Sequence, residues 1–421
     1  MKNYFIQNCC GLFLLTLLFL QQGCVKDTCT QKFTYTYFQP LYKTTAEARA
    51  NIKSNAPRAI VHPGKIFIKG NYIFLNEINK GIHVINNSNP SAPANAAFID
   101  IPGNVDIAVK NNILYADFYT DLVAMDISNP LNISVVKIMS NVFPERFYYE
   151  FNADSNKIIY EWVKKTETVQ SACDGNDQPG IMEGMLFNSM DAGLSSSSAA
   201  GTPTGISGSL ARFAIISNYM YAVSQHSLRV IQVAEASNPL LHGAISLGWG
   251  IETIYPFKDK LFIGSNTGMF IYGLQNPQMP VMLGSFNHVT TCDPVIADDN
   301  YAYVTLHSGT QCQGFTNQLD ILNITNIQSP QLIKSYPLTS PRGLSKDGNL
   351  LFICDGRDGL KIFNAADPAA LIMVKQFLIQ DASDVIAYNG IALVVAGDGL
   401  YQYDYSNPAD IKLLSKMPVQ L

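Results

Sequence analysis

The chain has 421 residues, 47% hydrophobic and only 14% charged, which is ample material for a large buried core. Its formal net charge is −5 and no Lys/Arg-rich run occurs, which speaks against a nucleic-acid partner, since such binding rests on neutralising phosphates.

Lys2 is followed by an almost wholly apolar run from Gly11 to Leu20, and Gly23-Cys24 comes directly after it. This is the layout of a signal peptide over residues 1–23, too short for an ordinary membrane-spanning helix. The Gly-Cys step is similar to a bacterial lipobox, which implies cleavage before Cys24 and diacylation of its thiol. Gln21 stands where that pattern carries an aliphatic residue, so an ordinary secretory signal is the alternative. Val25-Lys26-Asp27 resembles the surface-export tag of Bacteroidota lipoproteins, with Thr28 in place of the second acid. The expected address is the cell envelope, as an outer-membrane lipoprotein exposed at the surface and held to the membrane by its lipid.

Residues 24–64 read as the anchor and a lead-in segment. Lys32–Phe38 alternates as a strand, and Thr45–Asn51 fits a short helix. From residue 65 to 421 one phrase recurs: short apolar strands, a tight polar turn, another strand, then Asn-Pro or a close variant. It falls at Asn89, Asn129, Asn238, Asn276, Asn326, Asp367 and Asn407, with successive gaps of 40, 109, 38, 50, 41 and 40 residues. A period near forty built from strands predicts an all-β chain folded as a β-propeller of four-stranded blades. The Gly- and Asp-rich turns, among them Lys80-Gly81 and Asp355–Gly359, read as tight turns rather than as calcium or phosphate loops.

The long gap holds a broken copy and an insertion. Phe147–Phe151 and Ile158–Val163 read as two strands, after which the pattern dissolves over residues 166–209. That stretch includes Ser195–Gly201, a low-complexity run expected to be disordered.

Aligning the copies on their first strand isolates one charge in each: Lys65, Asp106, Arg146, Arg212, Glu252, Asp293, Arg342 and Asp384. Four are basic and four acidic. Eight charges favour eight blades, with seven the alternative. If first strands line the central channel, these side chains form a ring at one mouth. It is read either as a structural ring of mutually compensating charges or as a site for a polar ligand. Arg146 and Arg212 flank the insertion and suit a carboxylate or phosphate.

Five cysteines lie beyond the signal and anchor: Cys29, Cys173, Cys292, Cys312 and Cys354. None belongs to a CxxC pair, so no metal site is expected. Cys292 and Cys312 fall at the same end of one hairpin and are expected to form a disulfide. Cys29 and Cys173 are a second possible pair. Cys354, inside an apolar run, reads as a buried free thiol. No nucleophile-elbow, zinc-protease or dinucleotide motif is present, and neither an enzyme activity nor a cofactor is expected.

The strand Leu122-Val123-Ala124-Met125-Asp126-Ile127-Ser128-Asn129-Pro130 resembles the LVIVD repeat of bacterial cell-surface β-propellers. Gly81-Ile82-His83-Val84-Ile85 and Gly359-Leu360-Lys361-Ile362-Phe363 match the same strand, with Asn86 and Asn364 replacing the Asp. The resemblance spans about residues 65–421, and it implies a fold without supplying catalytic residues. The expected role is a non-catalytic scaffold binding an envelope protein. The alternative is a small-ligand or glycan-binding protein using the charged mouth, with a hydrolase or lyase a distant third.

Overall fold

The computed structural model describes residues 30–146, 156–172, 206–288, 294–308 and 316–420. These fall into two compact units, one holding residues up to Leu41 together with Trp162 onwards, the other Tyr42–Glu161 and the chain from Asp191.

The first unit is a two-stranded ribbon formed where strand Thr30–Thr44 pairs with strand Lys157–Ala172. The strand expected at Lys32–Phe38 lies within it. Side chains meet across the ribbon in antiparallel order: the Thr34 and Thr168 hydroxyls at 2.9 Å, and Thr36 and Thr166 at 3.2 Å.

In the second unit the lead-in continues as helix Thr45–Ala50, close to the expected span. Thr44 caps it by accepting from the Glu47 N–H at 3.1 Å, while the Glu47 carboxylate accepts from the Thr44 N–H at 2.9 Å. Beyond it stand seven four-stranded blades, the second of the two counts the sequence left open. Blade 1 comprises Pro63–Lys69, Tyr72–Glu77, Gly81–Asn86 and Ala94–Asp100. Its outer strand gains Ser54–Asn55 from the lead-in as a further edge. The first strands of blades 2 to 7 are Ile107–Lys110, Phe213–Ile216, Ile251–Phe257, Val295–Ala297, Leu344–Asp347 and Asp384–Tyr388.

The expected eighth blade is not found among the described residues. The strand read at Ile158–Val163 belongs to Lys157–Ala172, which pairs with the ribbon partner and joins no blade. That copy has no Asn-Pro turn in its sequence, and among the described residues no further strand pairs with it to build a blade. Phe147–Phe151 lies outside the described residues, as does most of the insertion. At the edges of the insertion as drawn from sequence, strand Lys157–Ala172 runs past residue 166 and Ile206–Ser207 is a strand.

Each first strand lies against the first strand of the next blade, and blade 1 meets blade 7 to close the ring. The core is therefore a set of blade-to-blade interfaces rather than one central mass. Ile66, Ile73 and Leu75 of blade 1 pack on Ile386, Leu393 and Val395 of blade 7. Phe74 and Val84 of blade 1 share a cluster with Leu114 and Val123 of blade 2. Both faces of every sheet are covered, which explains the nearly continuous apolar runs in the sequence. Among the described residues closure uses no shared strand. It rests on this packing, on a reciprocal amide pair between Asn87 and Gln402 at 2.7 and 3.0 Å, and on the Gln420 N–H donating to the Ile60 carbonyl at 2.8 Å.

Local chemistry explains the repeated phrase. The Asp of the LVIVD-like strand turns the chain: Asp126 accepts from the Ser128 N–H at 2.7 Å, Asn86 from Ser88 at 3.0 Å, and Asn364 from Ala366 at 3.0 Å. Only an acceptor oxygen is needed there, so Asn replaces Asp freely. The Asn or Asp before Pro repeats the device, as when Asn129 accepts from the Leu131 N–H at 3.1 Å. The turn glycines answer a different need. A Cβ on Gly81 would stand 2.0 Å from the Ile99 carbonyl, and one on Gly359 2.0 Å from that of Phe377, because the outer strand passes there.

All seven outer strands are bulged at one equivalent point, for example between Val135 and Lys137 opposite Met125 and Ala124. A bulge twists an edge out of register with any incoming strand, which blunts edge-to-edge pairing.

Candidate functional site

The first strand of each blade, or the residue or two before it, carries one of the charges picked out by sequence alignment. Lys65, Asp106, Arg212, Glu252, Arg342 and Asp384 occupy blades 1, 2, 3, 4, 6 and 7. Asp293, the counterpart in blade 5, lies outside the described residues, as do Cys24, Cys29, Cys173, Cys292 and Cys312. Arg146 is the odd member. It closes a short 3-10 turn, Pro144–Arg146, in the connection after blade 2 and begins no blade.

Three of the ring charges are sealed from solvent, and Arg146, Arg212, Glu252 and Arg342 are half-buried. Lys65 and Asp106 are 2% exposed and Asp384 1%. Lys65 Nζ stands 3.0 Å from Asp106 Oδ2 as a charge pair, off hydrogen-bond geometry. Asp106 also accepts from the backbone N–H groups of Arg212, Phe213 (2.9 Å) and Ile107 (2.8 Å). It thus stitches blade 2 to blade 3 while compensating blade 1. Burial pulls the Lys65 ammonium down to about 8, although Asp106 opposes this. Arg212 is also lowered, chiefly by burial, with Asp106 and Glu252 holding it charged.

The channel itself is crossed. Ile206–Ser207 pairs with the axis-facing edge of strand Pro63–Lys69, and the Ser209 hydroxyl accepts from the Leu344 N–H of blade 6 at 2.6 Å. Ser209 is buried.

A cleft of about 230 Å³ opens between blades 2 and 3, where the ring charges Asp106 and Arg212 stand. Val105, Asp106, Asp117, Phe143, Glu145 and Arg146 line one side, and Arg212, Phe213, Val223, Ser224, Gln225 and His226 the other. Phe143 stacks on Phe213 as its floor, with ring centroids 5.6 Å apart. Most of its charges are committed. Arg146 is paired with Asp117 and donates to the Gly103 carbonyl at 3.2 Å. Asp117 also accepts from the N–H groups of Val105 and Asp106 at 2.8 and 3.0 Å, and Glu145 accepts from Arg229 at 2.7 Å. The Arg212 guanidinium, partly exposed, is the charged group in the cleft wall whose donors no protein acceptor engages among the described residues.

Cys354 is a buried free thiol, pushed well up by burial. His83 is buried in its strand, 2.9 Å from Glu77. Among the described residues no three His, Cys, Asp or Glu side chains group as a metal site. Sequence reasoning missed Asp117, Glu145 and His226, which have neither motif nor period. It also missed Trp249, whose ring lies 4.0 Å from that of His226; the glycines on both sides of it were the available signal.

Residues 63–97 and 103–140 match the LVIVD repeat. The chain is a β-propeller carrying LVIVD repeats. No curated protein matches the sequence. Solved structures resemble the propeller at low identity. A protein from Lactobacillus plantarum is 11% identical with a TM-score of 0.53, over 85% of this chain and 98% of that one. PorZ, a surface component of the type-IX secretion system of Porphyromonas gingivalis, is 16% identical with a TM-score of 0.50, over 87% of this chain and 40% of that one. The computationally designed Ika8 protein is 10% identical with a TM-score of 0.50, over 86% and 88%. At such identities the likeness is one of fold alone.

Proposed function

We propose that this LVIVD propeller is a binding protein whose cleft takes a small anionic ligand. The supporting observation is the Arg212 guanidinium, a planar fork of donors in a concave wall that no protein acceptor engages among the described residues. A carboxylate or phosphate matches that fork with two parallel hydrogen bonds. Binding rather than turnover is favoured because Asp106, Asp117 and Glu145 are all committed to structural partners, leaving none of them a free acid or base. The test is a thermal-shift and calorimetric screen with tartrate, glucuronate and inorganic phosphate. At least one should raise the melting temperature of the wild type, and Arg212→Ala should lose that response while melting normally without ligand. An unchanged response in Arg212→Ala would sink the reading.

A second reading, a protein-interaction scaffold, is favoured by exposed apolar residues on consecutive outer strands: Leu240 and Leu241, Val281 and Met282, Leu332, and Ile372 and Met373. For the address, the apolar run ending in Gly23-Cys24 supports a lipid anchor at the outer membrane. Incorporation of an alkyne fatty acid should be lost in Cys24→Ala; labelling that persists in the variant would refute the anchor.

A further inference from the structure

Beside the cleft stands an aromatic surface that folding does not require. Trp249 is 78% exposed, in the connection from the outer strand of blade 3 to the first strand of blade 4. Leaving so much apolar ring in water forgoes burial that a tryptophan ordinarily gains. The backbone that carries the ring is nevertheless fixed in place. Gly248 and Gly250 on either side adopt φ of +95° and +73°, a region that side chains rarely tolerate. A Cβ on Gly250 would stand 2.0 Å from the Asn266 side chain. Backbone bonds pin both ends of the loop: Leu247 N–H to the His226 carbonyl at 2.8 Å, Ile251 N–H to that of Gln225 at 3.2 Å, and Asn266 N–H to that of Gly250 at 2.8 Å. Two of these three reach the same turn that forms the cleft wall. The His226 ring meets the indole edge-on, and its buried Nδ1 has no hydrogen-bond partner among the described residues.

Building on the anion-binding reading above, we infer that the ligand is an acidic sugar, whose ring lies on Trp249 while its carboxylate reaches Arg212. A pyranose presents an apolar face of C–H groups flanked by hydroxyls. The C–H face suits a flat indole, and hydroxyls at the ring edge suit Ser224, Gln225 and His226, which line the cleft beside it. A carboxylate on the same ring distinguishes this class from neutral sugars, and Arg212 supplies its bidentate partner.

Glucuronate and tartrate separate the parts, because both carry carboxylates and only the first has a pyranose ring. Calorimetry should show Trp249→Ala weakening glucuronate about tenfold, the size of one good aromatic contact, with tartrate unchanged. Arg212→Ala should weaken both. The chain has two tryptophans, so Trp162→Phe leaves Trp249 as sole reporter, and its fluorescence should change on adding glucuronate but not tartrate. If Trp249→Ala binds glucuronate as tightly as wild type, the sugar assignment is wrong while the anion site stands. If glucuronate binds no variant while tartrate binds through Arg212, the sugar assignment fails in the same way. If neither compound nor phosphate binds the wild type, both readings fall together.

Discussion

Asp106→Ala is expected to destabilise the propeller by about 3–5 kcal/mol, the range for breaking a buried ion pair by removing one partner. Asp106 faces Lys65 at 3.0 Å with both side chains nearly sealed, and it also accepts from the N–H groups of Phe213 and Ile107. Alanine would strand the ammonium and orphan those donors together. Asp106→Asn keeps an acceptor for the backbone and should fall between the two. Chemical denaturation of wild type, Asp106→Ala, Lys65→Met and the double variant closes a cycle. The double variant should be more stable than Asp106→Ala, because the uncompensated charge has gone with it. If Asp106→Ala loses less than about 1 kcal/mol, a surface-like value, the pair does not hold blades 1, 2 and 3 together.

The same lysine should give the stability a distinctive pH slope. Its folded-state value is drawn down to about 8 from an ordinary 10.5, mainly by burial. Below pH 8 both folded and unfolded chains hold the proton, and the fold bears the full penalty of the buried charge. As pH rises from 8 toward 10.5, the folded chain releases the proton while the unfolded chain keeps it. The unfolded state then binds more protons, so stability rises with pH, by up to about 1.4 kcal/mol for each pH unit. Lys65→Met lacks this term. Subtracting its unfolding free energy from that of wild type between pH 7.5 and 9.5 removes the opposing titration of Cys354, whose buried thiol stays neutral while the unfolded thiol ionises. The difference should climb over this interval. A flat difference would mean that Lys65 keeps its proton in the fold.

The architecture was legible because it is written seven times. Periods of apolar strands recur in every blade, and turn acceptors such as Asp126 and close-approach glycines such as Gly81 each answer a local demand that recurs in several. One charge per first strand was legible for the same reason. Blade number was not, since Arg146 imitates the repeated charge by sequence position alone and sits in a 3-10 turn. The cleft was the least visible part. Asp117, Glu145, Arg212 and His226 come from different elements, and only the ring geometry brings them together. Two guanidiniums seemed equivalent in the sequence; in the fold Asp117 occupies one and leaves the other.

The strand across the axis bears on the order of assembly. Ile206–Ser207 adds to blade 1, and Ser209 then meets Leu344, which follows it by 135 residues. Once all seven blades have met face to face, a peptide could reach deep into the axis only by threading, a motion that folding chains avoid. A crossing laid on blade 1 while the circle is still open would offer blade 6 a docking point as it arrives. That order would leave the clasp of blade 7 against blade 1 until last. The last contact made would be the one first lost on unfolding, so opening should begin at the seam where Gln420 meets Ile60.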